Sequence, residues 1–430
     1  PQLMSRRVAG QEMRFYWRGK GLGGSSMMNG QIAIRGVADA FDEWAANGCT
    51  GWSAREIMPL FSVIEDDMAF GDREGHGRGG PLPVYRAPPE QWGPIDRALR
   101  DAALASGYPW CDDLNGPAGE GVACYPINSR DGRRVSTNEG YLEPARGRPN
   151  LEIRGRALVD RLLISDNRAT GVRVYFEGVK DIAAREVVLC AGAIHSPAIL
   201  LRSGIGPAAE LQAMGLAVMR DLPVGRHFFD HPLFRATIQL REELRPTDRD
   251  TRHTNCCVTY TSGLADGGRR DMILVAFNHR GIGVPGAIGA GLFNAFSRGT
   301  LKLAATDPTV DPIVEENMLA DPRDIARMRD AVKRLALITL QPALRDNADW
   351  IRLGDTEFTL PQAAALPDAE LDALLRQVTG DIQHAAGSCR MSGFNDADGV
   401  VNPDGTVKGI AGLRVADASI MPSDCRANTH

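Results

Sequence analysis

The stretch RGKGLGGSSMMNG at residues 18–30 decides how the rest of the chain is interpreted. It holds five glycines, two basic residues and two serines within thirteen positions. Glycine adopts positive φ angles and lets a ligand approach the backbone, and freed N–H groups beside basic residues form an anion-binding concavity. The apolar residues 31–34 that follow are strand-like, so ordered chain adjoins the stretch. By itself this composition predicts either a phosphate-binding loop or a flexible surface loop.

A second tight turn is predicted near residue 190. The apolar run 187–189 ends in small residues at 190–192, and a helix is expected to begin with Ser196 as its cap and Pro197 in its first position. Turns that join a strand to a helix in this way line cofactor sites in open α/β sheets. A purely structural connection has the same appearance.

Local patterns predict further elements along the chain. The alternation at residues 151–153 indicates a strand. Residues 322–340 have the apolar spacing of a helix, with Asp321 as its cap, and residues 368–378 form a second helix.

Length and composition limit the function classes that fit the chain. Its 430 residues suffice for two or more domains, and its apolar fraction of 43% and charged fraction of 24% are ordinary for a globular protein. The net charge of −5 and the lack of a basic block argue against a nucleic-acid partner. The sequence contains no run of eighteen apolar residues, so no membrane span is predicted. The scattered cysteines favour a reducing, cytoplasmic compartment over zinc ligation or a disulfide framework.

Two of the eight histidines stand out. Small residues at 385–388 follow His384 and leave room for a ligand against its imidazole, a group suited to proton transfer at neutral pH. His430 is the last residue of the sequence, and terminal residues are usually frayed. No serine nucleophile elbow, zinc-protease motif or Walker loop accompanies them.

Several motifs in a fixed order give the chain a family resemblance. They are RGKGLGGSSMMNGQIAIRG at 18–36, AGAIHSPAILLRSGIGP at 191–207, HAAGSCRM at 384–391, GLRVADASIMP at 412–422 and ANTH at 427–430. Together they resemble the glucose–methanol–choline (GMC) family of FAD-dependent oxidoreductases, and the branch that includes hydroxymethylfurfural and aryl-alcohol oxidases is the most similar.

The resemblance implies an α/β fold with two interleaved domains. A doubly wound FAD-binding domain would comprise residues 1–38, 146–226 and 378–430. An α+β substrate domain, built on an antiparallel sheet that covers the flavin, would comprise residues 39–145 and 227–377.

The resemblance also implies a reaction. His384 would take the hydroxyl proton of a primary alcohol, aromatic or furanic, while hydride leaves for the flavin. His430 would donate a hydrogen bond to the substrate oxygen as it gains negative charge. The partners expected are a small-molecule alcohol and oxygen or another electron acceptor, and the sequence assigns no oligomeric state.

Residues of the matched motifs are expected to hold FAD. Those assigned to the pyrophosphate are Gly23, Gly24 and Ser25; those beside the isoalloxazine are Asn29, Gly30, Gln31 and Ile32; the others are Val159 at the adenine, Ala191, Asp417 and Ala418 on the ribityl–phosphate side, and Asn428. Some family members attach FAD through a histidine whose position is Met28 here, so non-covalent FAD is expected.

Two segments of the family pattern are not found in this sequence, and this is expected to affect the FAD-binding domain. The strand, G-x-G-x-x-G turn and helix that normally come well before the first motif are missing, and so is a final helix after His430. The FAD domain is therefore expected to be incomplete, and the sequence to be a piece of a longer protein. Two alternatives stay open: a flavin-containing lyase similar to hydroxynitrile lyase, and a non-catalytic fragment that retains no FAD.

Overall fold

The computed structural model of the chain describes residues 2–245, 252–279 and 284–429. Its strands are β1 Met4–Arg6, β2 Arg14–Phe15, β3 Glu65–Asp67, β4 Leu82–Val84, β5 Gly121–Cys124, β6 Ser129–Arg130, β7 Arg133–Arg134, β8 Leu158–Ser165, β9 Arg168–Tyr175, β10 Val179–Ala183, β11 Val187–Leu189, β12 Pro232–Leu240, β13 Cys256–Tyr260, β14 Met272–Phe277, β15 Gly286–Leu292, β16 Thr300–Lys302, β17 Ile313–Glu315, β18 Ala348–Leu353, β19 Gly380–Asp381 and β20 Leu413–Val415.

Its α-helices are α1 Ala38–Ala46, α2 Ala54–Ile64, α3 Pro94–Ala105, α4 Glu143–Ala145, α5 Gly192–Arg202, α6 Ala208–Ala213, α7 Pro322–Thr339, α8 Pro342–Arg345, α9 Leu360–Ala364 and α10 Asp368–Val378. Short 3₁₀ turns lie at Gly24–Met27, Pro89–Gln91, Glu242–Leu244 and Ala418–Ile420, and a π-helical turn lies at Asn138–Leu142.

A seven-stranded antiparallel sheet forms the centre of one half of the molecule. Its strand order is β18-β12-β15-β14-β13-β5, and the short β19 pairs with the start of β12. Alternate residues of β12 divide between its two faces: Phe234 and Ile238 pack into a core with α3 and α7, while Leu233 packs into the core of the other half. The inner face of this sheet, which carries Leu233, therefore looks toward the functional site described below.

A parallel pair of strands characterises the other half. β11 pairs in parallel with β20, and α5 follows β11 directly. Parallel strands joined through helical crossovers are typical of doubly wound sheets. The expected boundaries between the pieces of the two domains remain a prediction.

The predicted start of α5 was wrong by several residues. The helix begins at Gly192, whose φ of +81° makes the turn and whose N–H donates to Asp417. Pro197 lies inside the helix, where it cannot donate to the carbonyl of Ala193. That carbonyl instead accepts from the hydroxyl of Ser388 at 2.6 Å, so the interior proline leaves no unpaired acceptor.

The other local predictions had mixed outcomes. α7 is confirmed, with the Asp321 carboxylate accepting from the N–H of Arg323, and α10 is confirmed at 368–378. The strand expected at 151–153 is wrong, because these exposed or half-exposed residues pair with no described strand and β8 begins only at Leu158. Among the described helices, none is both long and apolar enough to cross a membrane.

Candidate active site

A cavity of about 790 Å³ lies against the inner face of the seven-stranded sheet. We call it the central cavity. The sheet contributes Arg235 from β12 and Ile273, Val275 and Phe277 from β14. The opposite wall contains six of the residues that the sequence had singled out: Ser25, Asn29, Gly30, Ile32, His384 and Asn428.

His384 stands in a chain of four polar side chains. Its Nδ1 lies 2.8 Å from Nδ1 of His231, and Nε2 of His231 is hydrogen bonded to the carboxylate of Asp424. On its other side, Nε2 of His384 lies 3.0 Å from the amide nitrogen of Asn428. His231 and Asp424 are fully buried at their side chains, while His384 and Asn428 border the cavity.

One proton arrangement satisfies every contact in this chain. An amide nitrogen can only donate, so Nε2 of His384 accepts from Asn428, and the neutral His384 ring carries its proton on Nδ1. That N–H donates to Nδ1 of His231, whose own proton then sits on Nε2 and donates to Asp424. The lone pair of His384 on the cavity side is thereby fixed as a proton acceptor.

The buried carboxylate of Asp424 also favours the protonated, positively charged form of the adjacent imidazole. Burial lowers the pKa of His231, but the charge of Asp424 and its hydrogen bond raise it more, so the pKa lies above the ordinary histidine value. Two imidazoles 2.8 Å apart titrate together. A proton taken up by His384 is therefore stabilised by Asp424 through His231.

A second buried carboxylate positions the same histidines through their backbone. Asp230 accepts from the main-chain N–H of His384 at 2.8 Å and of His231 at 2.6 Å, and from the hydroxyl of Tyr16. Burial and the neighbouring charge of Asp381 raise the pKa of Asp230 to about 6. Asp230 and Tyr16 thus help to fix the positions of the two imidazoles, although neither residue lines the central cavity.

The glycine-rich stretch forms an ordered turn beside this cluster. Gly23 has a φ of +91° and Gly24 of +54°, and a short 3₁₀ turn begins at Gly24. A Cβ atom at Gly23 would come within 2.8 Å of the Ser136 hydroxyl. The Ser25 hydroxyl accepts from the N–H of Gly19 at 3.1 Å, so the stretch bonds to itself as well as to its neighbours.

Two arginines from the segments predicted to form the substrate domain donate hydrogen bonds to the residues that follow the turn. Asn29 accepts from Arg134 at 3.0 Å, and Arg252 donates to the carbonyl of Gly30 and, at 3.0 Å, to the Gln31 side chain. Gln31 has a positive φ of 64°. These bonds fix the backbone that forms one wall of the central cavity.

Ile32, the next residue, forms a single antiparallel bridge with Ile127. The strand-like character predicted for residues 31–34 is thus limited to this bridge.

Seven predicted site residues in the described part of the chain lie outside the lining of the central cavity: Gly23, Gly24, Gln31, Val159, Ala191, Asp417 and Ala418. Asp417 accepts from the N–H of Gly192 and from Ser196, and so joins Ala191 and Ala418 around the beginning of α5. Val159 lies on β8.

His430 lies outside the described residues, so its expected role stays a prediction. The predicted roles of the other site residues also stay predictions at this point.

The sequence did not single out His231, Asp424, Asp230 or Tyr16. His231 and Asp424 are 193 residues apart, and His231 and His384 are 153 residues apart, so local spacing carries no signal for their contact. A signal was present in the Asp230-His231-Pro232 run, where a buried acid directly precedes a histidine at the start of a strand.

The residues around the central cavity fit a bound flavin. The cavity has room for a planar ring system and a small alcohol. Asn428 Oδ1 is buried and meets no donor among the residues described, which leaves an acceptor for a ligand N–H. Open space surrounds the position of a Cβ at both Gly24 and Gly192, so a ligand can approach the backbone at each turn.

Comparison with known proteins decides the family. Models of the GMC oxidoreductase family match residues 5–233 and residues 295–430. The chain belongs to the GMC oxidoreductase family. This confirms the expected fold class, with FAD-binding and substrate-binding domains, and FAD as the cofactor of an alcohol oxidoreductase.

Individual GMC proteins resemble the chain over most of its length. The 5-(hydroxymethyl)furfural oxidase of Methylovorus sp. (strain MP688) is 34% identical over 98% of this chain and 81% of its own. An oxygen-dependent choline dehydrogenase of Burkholderia ambifaria is 36% identical over 94% of this chain and 75% of its own. The crystal structure of pyridoxine 4-oxidase from Mesorbium loti superposes with a TM-score of 0.88 at 28% identity, covering 99% of this chain and 84% of that one.

Proposed function

We propose that this GMC oxidoreductase converts a primary alcohol, aromatic or furanic, to its aldehyde, with Nε2 of His384 as the base. The observation that carries the proposal is the Asp424–His231–His384 chain, whose hydrogen bonds make Nε2 of His384 an unprotonated acceptor, which accepts from Asn428 at the central cavity. An imidazole with its other nitrogen anchored on a second imidazole and a carboxylate is well arranged to accept a proton.

The protein residues would act in sequence on the alcohol. The substrate hydroxyl would replace the Asn428 amide as donor to Nε2 of His384, and its proton would pass to that nitrogen. The imidazolium would be stabilised by Asp424 through His231, while the amide of Asn428 donates to the oxygen as negative charge builds on it. When bound, FAD supplies the acceptor for the hydride that leaves the alcohol carbon.

His430 remains a predicted second donor to the substrate oxygen. Asn428, two residues before it, already contacts His384 at 3.0 Å and so can serve part of this role. His430→Asn should be milder than His430→Ala, because asparagine keeps a donor. Equal losses in flavin reduction would exclude a hydrogen bond from residue 430.

The cofactor residues are proposed in two groups. Gly23, Gly24 and Ser25 would meet the pyrophosphate, and Asn29 to Ile32 would lie along the isoalloxazine. Ala191, Asp417 and Ala418 would lie on the ribityl–phosphate side and Val159 at the adenine. Position 28, where some family members carry the histidine that attaches FAD, is a methionine here, and this supports non-covalent FAD.

The lining of the central cavity supports an aromatic substrate. Phe15, Trp17, Tyr125, Phe277 and Phe293 all contribute to it. The similarity to a hydroxymethylfurfural oxidase and a pyridoxine oxidase points the same way, since both named substrates carry a hydroxymethyl group on an aromatic ring.

An anaerobic flavin-reduction screen tests the proposal. FAD-loaded protein is mixed with benzyl alcohol, 5-(hydroxymethyl)furfural or choline, and the visible flavin band is followed. We expect the two aromatic alcohols to bleach the band. Cyanide release from mandelonitrile without bleaching would identify the lyase instead, and the lack of any flavin band after adding FAD would refute both functions. Oxygen consumption on reoxidation then separates an oxidase from a dehydrogenase.

A further inference from the structure

Arg134 places a positive charge at the wall of the central cavity. It belongs to β7, and its half-buried side chain lines the cavity. The guanidinium donates to the carbonyl of Ser26 at 3.1 Å and to the side chain of Asn29 at 3.0 Å, and both of these acceptors are neutral. Burial lowers the pKa of Arg134, and the charge of Glu139 opposes this shift. Among the described residues, Glu139 and the other carboxylates form no ion pair with Arg134.

Arg252 adds a second positive charge behind the same wall. It donates to the carbonyl of Gly30 at 2.6 Å and to the side chain of Gln31 at 3.0 Å. Burial lowers the pKa of Arg252, and the charge of Arg134 lowers it further, so the two guanidiniums repel each other. The charge of Asp96 acts in the opposite direction, but no carboxylate in the described part of the chain forms an ion pair with Arg252.

The imidazole of His253 responds to these charges from inside the cavity. His253 lines the cavity, and a Cβ atom at Gly30 would lie 3.9 Å from its Nε2. Burial, followed by the charges of Arg252, His279 and Arg134, lowers the pKa of His253 to about 4. Positive charge is therefore unfavourable beside Gly30, and negative charge is favoured there.

The proposed reaction creates negative charge on the cofactor. The alcohol and the oxidised flavin ring are both neutral. The hydroxyl proton passes to His384, and a hydride, which is one hydrogen with two electrons, passes from the alcohol carbon to the ring. The alcohol becomes a neutral aldehyde, the imidazole gains one positive charge and the ring gains one negative charge. A fixed positive charge near the ring therefore stabilises the reduced state more than the oxidised state.

We propose that the charges of Arg134 and Arg252 stabilise the reduced, anionic flavin and so raise the reduction potential of bound FAD. This rests on the proposed alcohol oxidation and on the proposed position of residues 29–32 along the isoalloxazine. Both arginines hold the backbone of that wall, and both act on the ring through their electrostatic field rather than through contact with the reacting atoms.

The midpoint potential of bound FAD tests the proposal without any alcohol. FAD-loaded protein is reduced stepwise together with a reference dye, and the absorbance of both is followed. At an effective dielectric constant of about 20, two unit charges about 6 to 12 Å apart change an equilibrium by about 10- to 100-fold. We expect Arg134→Gln and Arg252→Gln each to lower the equilibrium constant for two-electron reduction by this factor, which is a fall of about 30 to 60 mV.

Lysine at the same positions separates the charge from the hydrogen bonds. Arg134→Lys and Arg252→Lys keep the positive charge but lose the planar fork of N–H donors. We expect both lysine variants to retain most of the potential of the unaltered protein. A lysine variant whose potential falls as far as that of the glutamine variant would overturn the proposal, because the hydrogen bonds to the wall would then account for the effect.

Arg133→Gln is the matched control. Arg133 precedes Arg134 on β7, and neighbouring residues of a strand point to opposite faces. Arg133 is exposed and does not line the cavity, so solvent and salt screen its charge. This substitution removes the same charge from the same strand and should leave the potential unchanged.

The affinity for oxidised FAD separates an effect on the ring from an effect on binding. A change in potential equals the change in the ratio of the affinities for reduced and oxidised FAD. Weaker binding of oxidised FAD at an unchanged potential would show that the arginines serve the phosphates or the fold, and the proposal would fail. If Arg252→Gln does not fold, the glutamine and lysine variants of the half-buried Arg134 decide the question.

Sulfite titration gives a second readout that is also independent of alcohol oxidation. Sulfite adds to oxidised flavin and leaves negative charge on the ring, so the glutamine variants should bind it about 10- to 100-fold more weakly. These losses, without losses in the lysine variants or Arg133→Gln, support the proposal even if no alcohol bleaches the flavin. Unchanged potentials and sulfite affinities in the glutamine variants contradict it even if an alcohol is oxidised.

Discussion

Replacing Asp424 by asparagine should reverse the direction of the hydrogen bonds that prepare His384 as a base. One oxygen of Asp424 accepts from the N–H of Arg426 at 2.9 Å, and the other accepts from Nε2 of His231 and, at the longer distance of 3.5 Å, from the N–H of Ala295. In Asp424→Asn the amide oxygen keeps the contact to Arg426, so the NH₂ group faces His231. His231 must then carry its proton on Nδ1 and His384 on Nε2, which removes the lone pair from the cavity.

The expected decrease in the rate of flavin reduction follows from the free energy needed to restore the active tautomer in the variant. The variant recovers the active tautomer only by rotating the amide, which leaves the buried N–H of Arg426 without an acceptor. An unsatisfied buried donor costs about 1–3 kcal/mol, so flavin reduction should slow by about 10- to 100-fold. The same substitution in a serine protease triad costs about 10⁴-fold through a wrong tautomer, which places an upper limit on the expectation.

The pH profile gives a second and independent readout. Because the charge of Asp424 raises the pKa of His231, which is hydrogen bonded to His384, we expect the unaltered protein to lose activity as the pH falls through a value above 6.5, when a further proton occupies Nε2 of His384. Without that charge the pKa of the pair falls, so the midpoint of the profile should move to lower pH by about one to two pH units.

Anaerobic stopped-flow reduction of the FAD-loaded protein between pH 5 and pH 9 measures both effects. Asp324→Asn is a suitable control, since Asp324 is equally buried, accepts main-chain N–H groups and pairs with Arg327 away from the cavity. It should leave the midpoint unchanged. An Asp424→Asn protein that folds, binds FAD and keeps both the rate and the midpoint would refute the chain of proton positions.

Three further outcomes are expected. His384→Ala should slow flavin reduction by about 10²–10⁴-fold with FAD still bound; reduction at the normal rate would exclude His384 as the base. Since burial and Asp381 raise the pKa of Asp230 to about 6, the stability that its protonation adds is lost as pH rises from about 4 to about 6. Asp230→Asn should therefore gain about 2–4 kcal/mol on the parent protein over that interval, measured by unfolding at both ends, and a constant difference would contradict this. Acid precipitation should leave all the FAD in the supernatant, whereas flavin in the pellet would show a covalent bond.

The elements that the sequence predicted well are those whose signals are local. α7 combines an aspartate cap, a proline in the first turn and helical apolar spacing, and each of these acts within a few residues. The start of α5 depended on Asp417, which is 225 residues from Gly192, and on Ser388, which is 195 residues from Ala193. No local pattern around 192–197 contains that information.

The residues of the candidate site likewise separate into those with a local sequence signal and those that depend on distant contacts. His384 and Asn428 were found through motifs that lie within single short stretches. The contacts that determine the chemistry of His384 come from His231 and Asp424, which reach it through the folding of the substrate sheet against the other half of the molecule.

The position of one proton is the most direct test of the account. Nitrogen-15 NMR of histidine-labelled, FAD-loaded protein distinguishes the two neutral tautomers of each imidazole, and His384→Gln and His231→Gln assign the signals. Above the titration of the pair, we predict His384 protonated at Nδ1 with a bare Nε2, and His231 protonated at Nε2. A neutral His384 protonated at Nε2 would contradict its role as the base.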